Sequence, residues 1–328
     1  MINTLDEIRD NIASTIRDTQ ITDLLTNHIN LTGLEIHGYH PWSFLRRKQT
    51  FSTVASQEDY NLDSEVDRIA ILREITTPRR LYYLPDSLFY KFVPNPESLS
   101  TGPSRFYRLW EETGFSTNLA AADTIYVKSD STSDTSTFNV RVVGRNSSGE
   151  VVTITLTLNG TTSVTSTVTF ATLGLMRVSK SAATTGTITV YRTTGDTVLS
   201  ELEPANLSPR YKRIGLYPIP SSAITMYLEY YERYHYMSHD TDVPQLDVKW
   251  IWVLREGALA KAWEYKQNEA ATAQHYAIYQ QGLKQMRAQD EENLDYVPVL
   301  QPRIYDYSTV RRVSDSVGDA FPSYSLAI

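Results

Sequence analysis

Residues 151–160, with the sequence VVTITLTLNG, decide the fold of the middle of the chain. Apolar residues alternate there with threonines, at Val152, Ile154, Leu156 and Leu158. Alternation with a period of two predicts a strand that buries one face, and the Asn-Gly pair that follows is a hairpin-type turn signal. The stretch therefore predicts a β-strand that ends at a tight turn.

The same character extends outward over residues 116–200. Further short apolar runs, separated by turn-forming clusters, lie at residues 138–142, 164–170, 175–178 and 188–191. This window holds 21 Thr and 12 Ser residues but only four aromatic residues of a chain with 22 Tyr, 9 Phe and 5 Trp. The change in composition and the spacing of the runs predict an inserted β-sandwich. A Ser/Thr-rich linker and a fibre-like or β-solenoid fold are the alternatives.

The flanking segments predict helices and a few strands. An N-terminal helix begins after Thr4, with Glu7 at the spacing of a capping box. The other predicted elements are a helix at residues 22–34, strands at residues 47–56, 213–218 and 224–236, short strand or turn segments over residues 60–75, a long helix from Asp247 and a second helical stretch over residues 276–286. We therefore predict an α+β protein, with a helical core of N-terminal and long C-terminal helices, a small antiparallel sheet and an all-β insertion.

The composition excludes several classes of function. The formal net charge is −7, and no basic run of the kind that grips nucleic-acid phosphates is present. The chain has no cysteine, which excludes disulfides, thiolate metal sites and a cysteine nucleophile. The charged, amphipathic first 18 residues predict no signal peptide, and no apolar run approaches the roughly 18 residues that would predict a membrane span.

Histidine and aspartate residues near position 240 form a weak metal-like pattern. His235 and His239, with Asp240 and Asp242 nearby, have a spacing that would suit a helix. On a strand, however, positions four apart are separated by about 13 Å, so we expect no metal. We instead expect the carboxylates of Asp240, Asp242 and Asp247 to lie near the N-terminus of the following helix and to oppose its dipole.

Motifs for catalysis or for cofactor binding are missing from the sequence. Neither a G-x-S-x-G elbow, a Walker loop nor a Rossmann glycine pattern occurs. We predict no enzyme and no cofactor, although a hydrolase stays open because glycosidases need only two carboxylates close in space. Packing is the expected role of the aromatic residues, and the candidates for core or interface positions are Trp42, Trp250, Trp252 and Trp263.

An ordered set of short motifs in the flanks resembles the head-to-tail adaptor proteins of tailed bacteriophages, also called head-completion or connector proteins. After two N-terminal helices, the motifs are WSFL at residues 42–45, YNLD at 60–63, YPIP at 217–220, ITMYLEYY at 224–231, DTDVP at 240–244, EGALA at 256–260 and the helical stretch 276–286. The resemblance implies an adaptor core in two parts, residues 1–115 and 201–295, an immunoglobulin-like insertion at 116–200 and an extended C-terminal tail at 296–328. Because both parts belong to one core, the ends of the insertion should lie close together.

The resemblance also implies a place in the virion. The chain would form a dodecameric ring at the neck, assembled in the host cytoplasm, with the portal protein, tail or neck proteins and its own copies as partners. Viral DNA would pass through the channel without specific binding, and no membrane partner is expected. The candidate portal contacts in the tail are Arg303, Tyr305, Tyr307, Arg311 and Arg312. Two alternatives stay open: an adhesin or decoration protein that binds carbohydrate or the host surface, and another tail or capsid component.

Overall fold

A computed structural model describes residues 4–18, 21–77, 79–93 and 101–292. The helices of these residues are α1 (Leu5–Ile16), α2 (Thr22–Tyr39), α3 (Asp86–Phe92), α4 (Ile251–Tyr265) and α5 (Glu269–Glu292). The strands are β1 (Arg46–Ser52), β2 (Asp59–Asn61), β3 (Val66–Glu74), β4 (Arg79–Tyr83), β5 (Phe106–Thr113), β6 (Ile125–Ser129), β7 (Asn139–Asn146), β8 (Val151–Thr157), β9 (Val164–Thr165), β10 (Phe170–Lys180), β11 (Ile188–Arg192), β12 (Val198–Leu202), β13 (Tyr211–Tyr217) and β14 (Thr225–Glu232). Across the described ranges, no helix is both long and apolar enough to cross a membrane.

Helices α1, α2, α4 and α5 pack around one apolar cluster. The capping box predicted at Thr4 is confirmed, because the Thr4 hydroxyl accepts from the Glu7 amide and the Glu7 carboxylate accepts from the Thr4 amide. Helix α4 is buried on most of its sides. Its Gly257 allows α2 and α5 to approach closely, since a Cβ there would lie 2.4 Å from Thr32 Cγ2 and 3.0 Å from the Tyr279 ring.

A seven-stranded sheet, and not a small one, forms the centre of the flanking segments. Its strand order is β1-β14-β3-β4-β5-β13-β2, and nearly all neighbours are antiparallel, with β4 and β5 parallel. The prediction of a helical core with a small sheet is therefore wrong, because the described chain is mostly β and has fourteen strands in three sheets. The sequence pattern predicts only short strand or turn segments over residues 60–75, whereas the structure has the long strand β3 there, and its pairing with β14 shifts register twice. Each such irregularity disturbs the alternation of side chains between the two faces.

Strands β6 to β12 form two further sheets with a core of their own. The orders are β10-β7-β8 and β12-β11-β6-β9, and the two sheets share one apolar cluster that includes Val140, Val142, Val127 and Val190. The strand predicted in VVTITLTLNG is β8, which pairs with β7. The Asn159-Gly160 turn does not close a hairpin, because β8 and β9 lie in different sheets. It instead carries the chain from one sheet of the sandwich to the other.

The chain enters and leaves the sandwich on neighbouring strands of the large sheet. Thr113, at the end of β5, is the register partner of Tyr211, at the start of β13, so the expected proximity of the two ends is confirmed. The junction is tight, since a Cβ on Gly114 would lie 2.8 Å from the backbone nitrogen of Val178. The Ser200 hydroxyl also donates to the Gly114 carbonyl at 2.8 Å. The division at residues 116 and 200 stays a prediction.

Candidate functional site

A cleft of about 1000 Å³ lies where the helices, the large sheet and the sandwich meet. We call it the junction cleft. One wall is the C-terminal half of α2, another is the end of the large sheet around β3 and the segment after β14, and the third is the chain that leaves β12. The residues that line it include Leu34, His37, Glu65, Glu203, Leu207, Arg233, His235, Tyr236 and Val243.

The rim of the junction cleft carries exposed apolar side chains. Leu34, Leu207, Tyr236 and Val243 line the cleft, and their exposed fractions range from 41% for Leu34 to 58% for Val243. Apolar residues gathered at the edge of a concave surface are typical of contact sites for other macromolecules. The cleft is therefore a candidate interface as well as a candidate ligand site.

Three carboxylates converge on His235 at the wall of the cleft, which Glu65, Glu203 and His235 line, and we call these residues together with Glu232 the His235 cluster. Nε2 of His235 contacts Oε2 of Glu65 and lies 3.7 Å from Oε1 of Glu232, whereas Nδ1 lies 3.5 Å from Oε2 of Glu203. The side chains are about one fifth to one half exposed, so the cluster is open to the cleft. The convergence gives this spot an excess of negative charge.

Backbone hydrogen bonds hold the His235 cluster together. Glu65 immediately precedes β3, and its carbonyl accepts from the Arg233 amide at 2.7 Å. Because Glu232 is the register partner of Val66, the two glutamates are brought together by the sheet itself. The His235 amide donates to Oε1 of Gln245 at 2.8 Å, which fixes the chain just after β14.

Glu203 reaches the His235 cluster from the sandwich. It follows the last sandwich strand directly, and its carbonyl accepts from the Lys180 ammonium. The Lys180 ammonium also donates to the Pro204 carbonyl at 2.7 Å and to the Thr184 hydroxyl at 2.8 Å. A buried lysine of the sandwich thus anchors the segment that presents Glu203 to the cleft.

The charges of the cluster shift the acid–base behaviour of its members. The carboxylate of Glu203 and then that of Glu65 raise the pKa of His235 to about 10, against the opposing effect of burial. The neighbouring His235 ring in turn lowers the pKa of Glu203. Among the described residues, Glu65, Glu232 and His235 are also the one group whose ligand atoms lie close enough together to hold a metal ion. The arrangement can therefore hold a cation, either a proton or a metal.

Sequence reasoning missed the His235 cluster because its members are far apart in the chain. Of the pattern around position 240, only His235 takes part. His239 lies 3.2 Å from the Ser238 hydroxyl and 3.9 Å from Asp242, away from the glutamates. Only the register between β3 and β14 brings Glu65 and Glu232 together, and the sequence does not reveal that register.

Of the three aspartates predicted to lie at the start of the following helix, only Asp247 has its carboxylate there, and the Asp240 carboxylate instead pairs with Arg9. The Asp242 carboxylate accepts from the Ser238 and His239 amides, at 2.7 and 2.8 Å, and closes the loop. Backbone carbonyls of Asp240 and Asp242 accept from the first amides of α1, which was not foreseen. Asp247 accepts from the Lys249 amide at 3.2 Å and caps the short 3-10 turn before α4, as the predicted helix-start role requires.

The tryptophans predicted for core or interface positions differ in burial. Trp42 is 1% exposed, its Nε1 donates to the Ile36 carbonyl at 2.7 Å, and its ring stacks on Phe44. Trp250, Trp252 and Trp263 are half-buried against the helical cluster. An interface role for these three stays a prediction. The candidate tail residues Arg303, Tyr305, Tyr307, Arg311 and Arg312 lie outside the described residues.

Comparisons with known proteins identify one family. A solved structure of the infectious bursal disease virus Gx strain shares 9% identity, with 75% of this chain and 53% of that chain covered, so the chain spans about half of its length. The TM-score between the two structures is 0.11. No curated protein matches the sequence.

The family match confirms the resemblance drawn from the sequence motifs at the level of an adaptor-type protein. The family described as SU10 adaptor protein matches residues 137–302, which is half of the chain. The matched range begins inside the sandwich and continues through the second flank, so the sandwich is partly included in the family pattern. The chain belongs to the SU10 adaptor protein family and is a phage adaptor-type structural protein.

Proposed function

We propose that this chain forms a ring at the phage neck, joins the portal protein to the tail and continues the DNA channel between them. The ring is a homo-oligomer of twelve copies, and the chain acts without catalysis. The membership of the SU10 adaptor family carries the proposal. The adaptor role and the virion location follow from the family, whereas the ring, its number of copies and the two partners are our proposal.

The charge and the surface of the chain support a role in a DNA conduit. A ring requires heterologous contacts, in which each copy presents two different complementary surfaces. The junction cleft and its apolar rim supply one concave surface with the composition of a contact site. The net charge of −7 suits a channel wall that lets DNA pass, because phosphates are repelled by an acidic surface.

The sandwich is proposed as an immunoglobulin-like decoration on the outside of the ring. Its entry and exit strands, β5 and β13, are neighbours in the large sheet, so the whole unit leaves the sheet at one place. A unit attached in this way can project outward without interrupting the other strands. Binding of carbohydrate or of the host surface by the sandwich would be additional to the adaptor role.

Cryo-electron microscopy of the intact virion tests the proposed place. We expect twelve copies of the chain between the portal and the tail, with the sandwich facing outward. A neck that lacks the chain, or a chain that occurs only in the capsid surface or the tail tip, would refute the proposal and favour a different virion component.

A truncation tests the proposed portal contact of the tail. Removal of residues 297–328 is expected to abolish binding to the purified portal, because the segment contains Arg303, Arg311 and Arg312. The melting temperature of the truncated chain serves as the control and should stay within a few degrees of the full-length value. Full portal binding by the truncated chain would contradict the tail contact and leave the family assignment unaffected.

A further inference from the structure

We propose that the His235 cluster binds one divalent transition-metal ion, with Nε2 of His235 and the carboxylates of Glu65 and Glu232 as the ligands. The ligand atoms of these three residues lie within 4.8 Å of one another, in the part of the chain that the structure describes. Two carboxylate oxygens and one imidazole nitrogen form a ligand set of the kind that Zn²⁺ accepts, and Oε2 of Glu232 also contacts the Arg47 guanidinium at 2.8 Å.

The two nitrogens of the His235 ring have separate partners that fit a metal ligand. Nε2 faces Glu65 and Glu232, the two carboxylates proposed to share the ion. Nδ1 faces the Glu203 carboxylate at 3.5 Å. Metal-binding histidines ordinarily donate their other ring N–H to a carboxylate or a carbonyl, which fixes the tautomer and the ring orientation. Glu203 therefore occupies the place of that supporting carboxylate.

The contacts inside the cluster leave two polar atoms poorly satisfied. Oε2 of Glu65 and Nε2 of His235 are shielded from solvent, and the contact between them lacks the geometry of a hydrogen bond. Shielded polar atoms nearly always have a well-formed partner. An ion that bound here would separate the two atoms and satisfy both, since ligands around a metal point at the metal and not at each other.

The ligands come from rigid backbone, and the remaining side of the cluster is open. Glu65 and Glu232 are fixed by the pairing of β3 with β14 and by the hydrogen bond from the Arg233 amide to the Glu65 carbonyl. The hydrogen bond from the His235 amide to Gln245 fixes the third ligand. The junction cleft leaves room for water molecules or for a partner's carboxylate at the free coordination positions.

The type of ligand selects the metal. An imidazole nitrogen with carboxylate oxygens suits Zn²⁺, Mn²⁺ and related ions, whereas Mg²⁺ and Ca²⁺ prefer oxygen ligands alone. The bound ion would join the large sheet to the segment that leaves the sandwich, because Glu203 supports the ligand from that side. A proton on His235 is the competing occupant, since the same carboxylates favour it.

Isothermal titration of Zn²⁺ into the full-length, chelator-treated, untagged chain tests the proposal. We expect one saturable site per chain, with Mg²⁺ and Ca²⁺ bound at least tenfold more weakly. His235→Ala and Glu65→Gln should each weaken Zn²⁺ binding at least tenfold, and Glu203→Gln should weaken it about tenfold, as loss of a supporting carboxylate does. His239→Ala is the matched control, because His239 lines the same cleft without facing the glutamates, and it should bind Zn²⁺ like the wild type.

X-ray absorption at the zinc edge of the wild-type chain provides a readout that needs no variant. One imidazole nitrogen with the remaining ligands oxygen is the expected coordination. No saturable Zn²⁺ binding by the wild-type chain would overturn the proposal and leave a protonated His235. Equal Zn²⁺ binding by His235→Ala, Glu65→Gln and the wild type would overturn it as well, as would a spectrum without an imidazole ligand.

Discussion

Substitution of Gly257 by alanine tests the close packing of the helices. Gly257 lies in α4, where α2 and α5 approach from two sides. On an open helix surface, alanine would be favoured over glycine by about 1 kcal/mol, because glycine loses more backbone entropy. At this position the methyl group has no free space, so we expect the opposite sign.

The magnitude follows from the two contacts that the new Cβ would make. It would lie 2.4 Å from Thr32 Cγ2, and Thr32 cannot turn away freely because its hydroxyl donates to the His28 carbonyl at 2.8 Å. It would also lie 3.0 Å from the Tyr279 ring, which is only 3% exposed. Overpacking of a dense core costs about 1–3 kcal/mol, and a contact of 2.4 Å places this site in the upper part of that range, about 2–3 kcal/mol, which outweighs the gain of about 1 kcal/mol in helix propensity. We expect a net loss of about 1–2 kcal/mol in the free energy of unfolding.

Denaturant unfolding followed by far-ultraviolet circular dichroism measures this loss, with Gly38→Ala as the matched control. Gly38 lies in α2, and a Cβ there would meet nothing within 4 Å. The control should therefore gain about 0.5–1 kcal/mol. If Gly257→Ala were as stable as the wild type or more stable, the close approach of α2, α4 and α5 would be refuted.

Two further predictions concern buried polar groups. Replacement of Asn30 by alanine should lower the free energy of unfolding by about 2–4 kcal/mol, because the Asn30 side chain hydrogen-bonds both the amide and the carbonyl of Met237, each at 2.9 Å. The control Asn27→Ala, at an exposed position of the same helix, should change it by less than about 0.5 kcal/mol, and equal effects of the two substitutions would contradict the reasoning. Burial lowers the pKa of Lys180 from its usual 10.5 to about 8. Below pH 8 the buried charge therefore destabilises the folded chain by its full amount, and this destabilisation disappears as the pH rises from about 8 to 10.5. The free energy of unfolding of the wild type should therefore rise by an amount of the order of 3 kcal/mol over this pH range. Lys180→Met should abolish this rise and Lys128→Met should retain it, so a rise that survives Lys180→Met would refute the assignment.

The sequence by itself determined the elements whose signals are local. The alternation at residues 151–158 gave strand β8, and the Thr4 and Glu7 spacing gave the start of α1 with its capping box. Four apolar residues on one face of that helix, Leu5, Ile8, Ile12 and Ile16, are all buried as their spacing requires. These signals lie within a few residues of each other, so the chain carries them whatever the rest of the fold does. The order of short motifs also sufficed for the family, because it does not depend on their contacts.

Only the tertiary structure decided the size of the large sheet and the composition of the His235 cluster. The sheet pairs strands from both sides of the sandwich, and the register shifts between β3 and β14 break the alternation that a sequence pattern needs. The cluster joins Glu65, Glu203, Glu232 and His235 through the pairing of β3 with β14 and the exit of the chain from β12. Such contacts depend on strand register and on where a chain leaves a domain, and neither is encoded in the spacing of neighbouring residues.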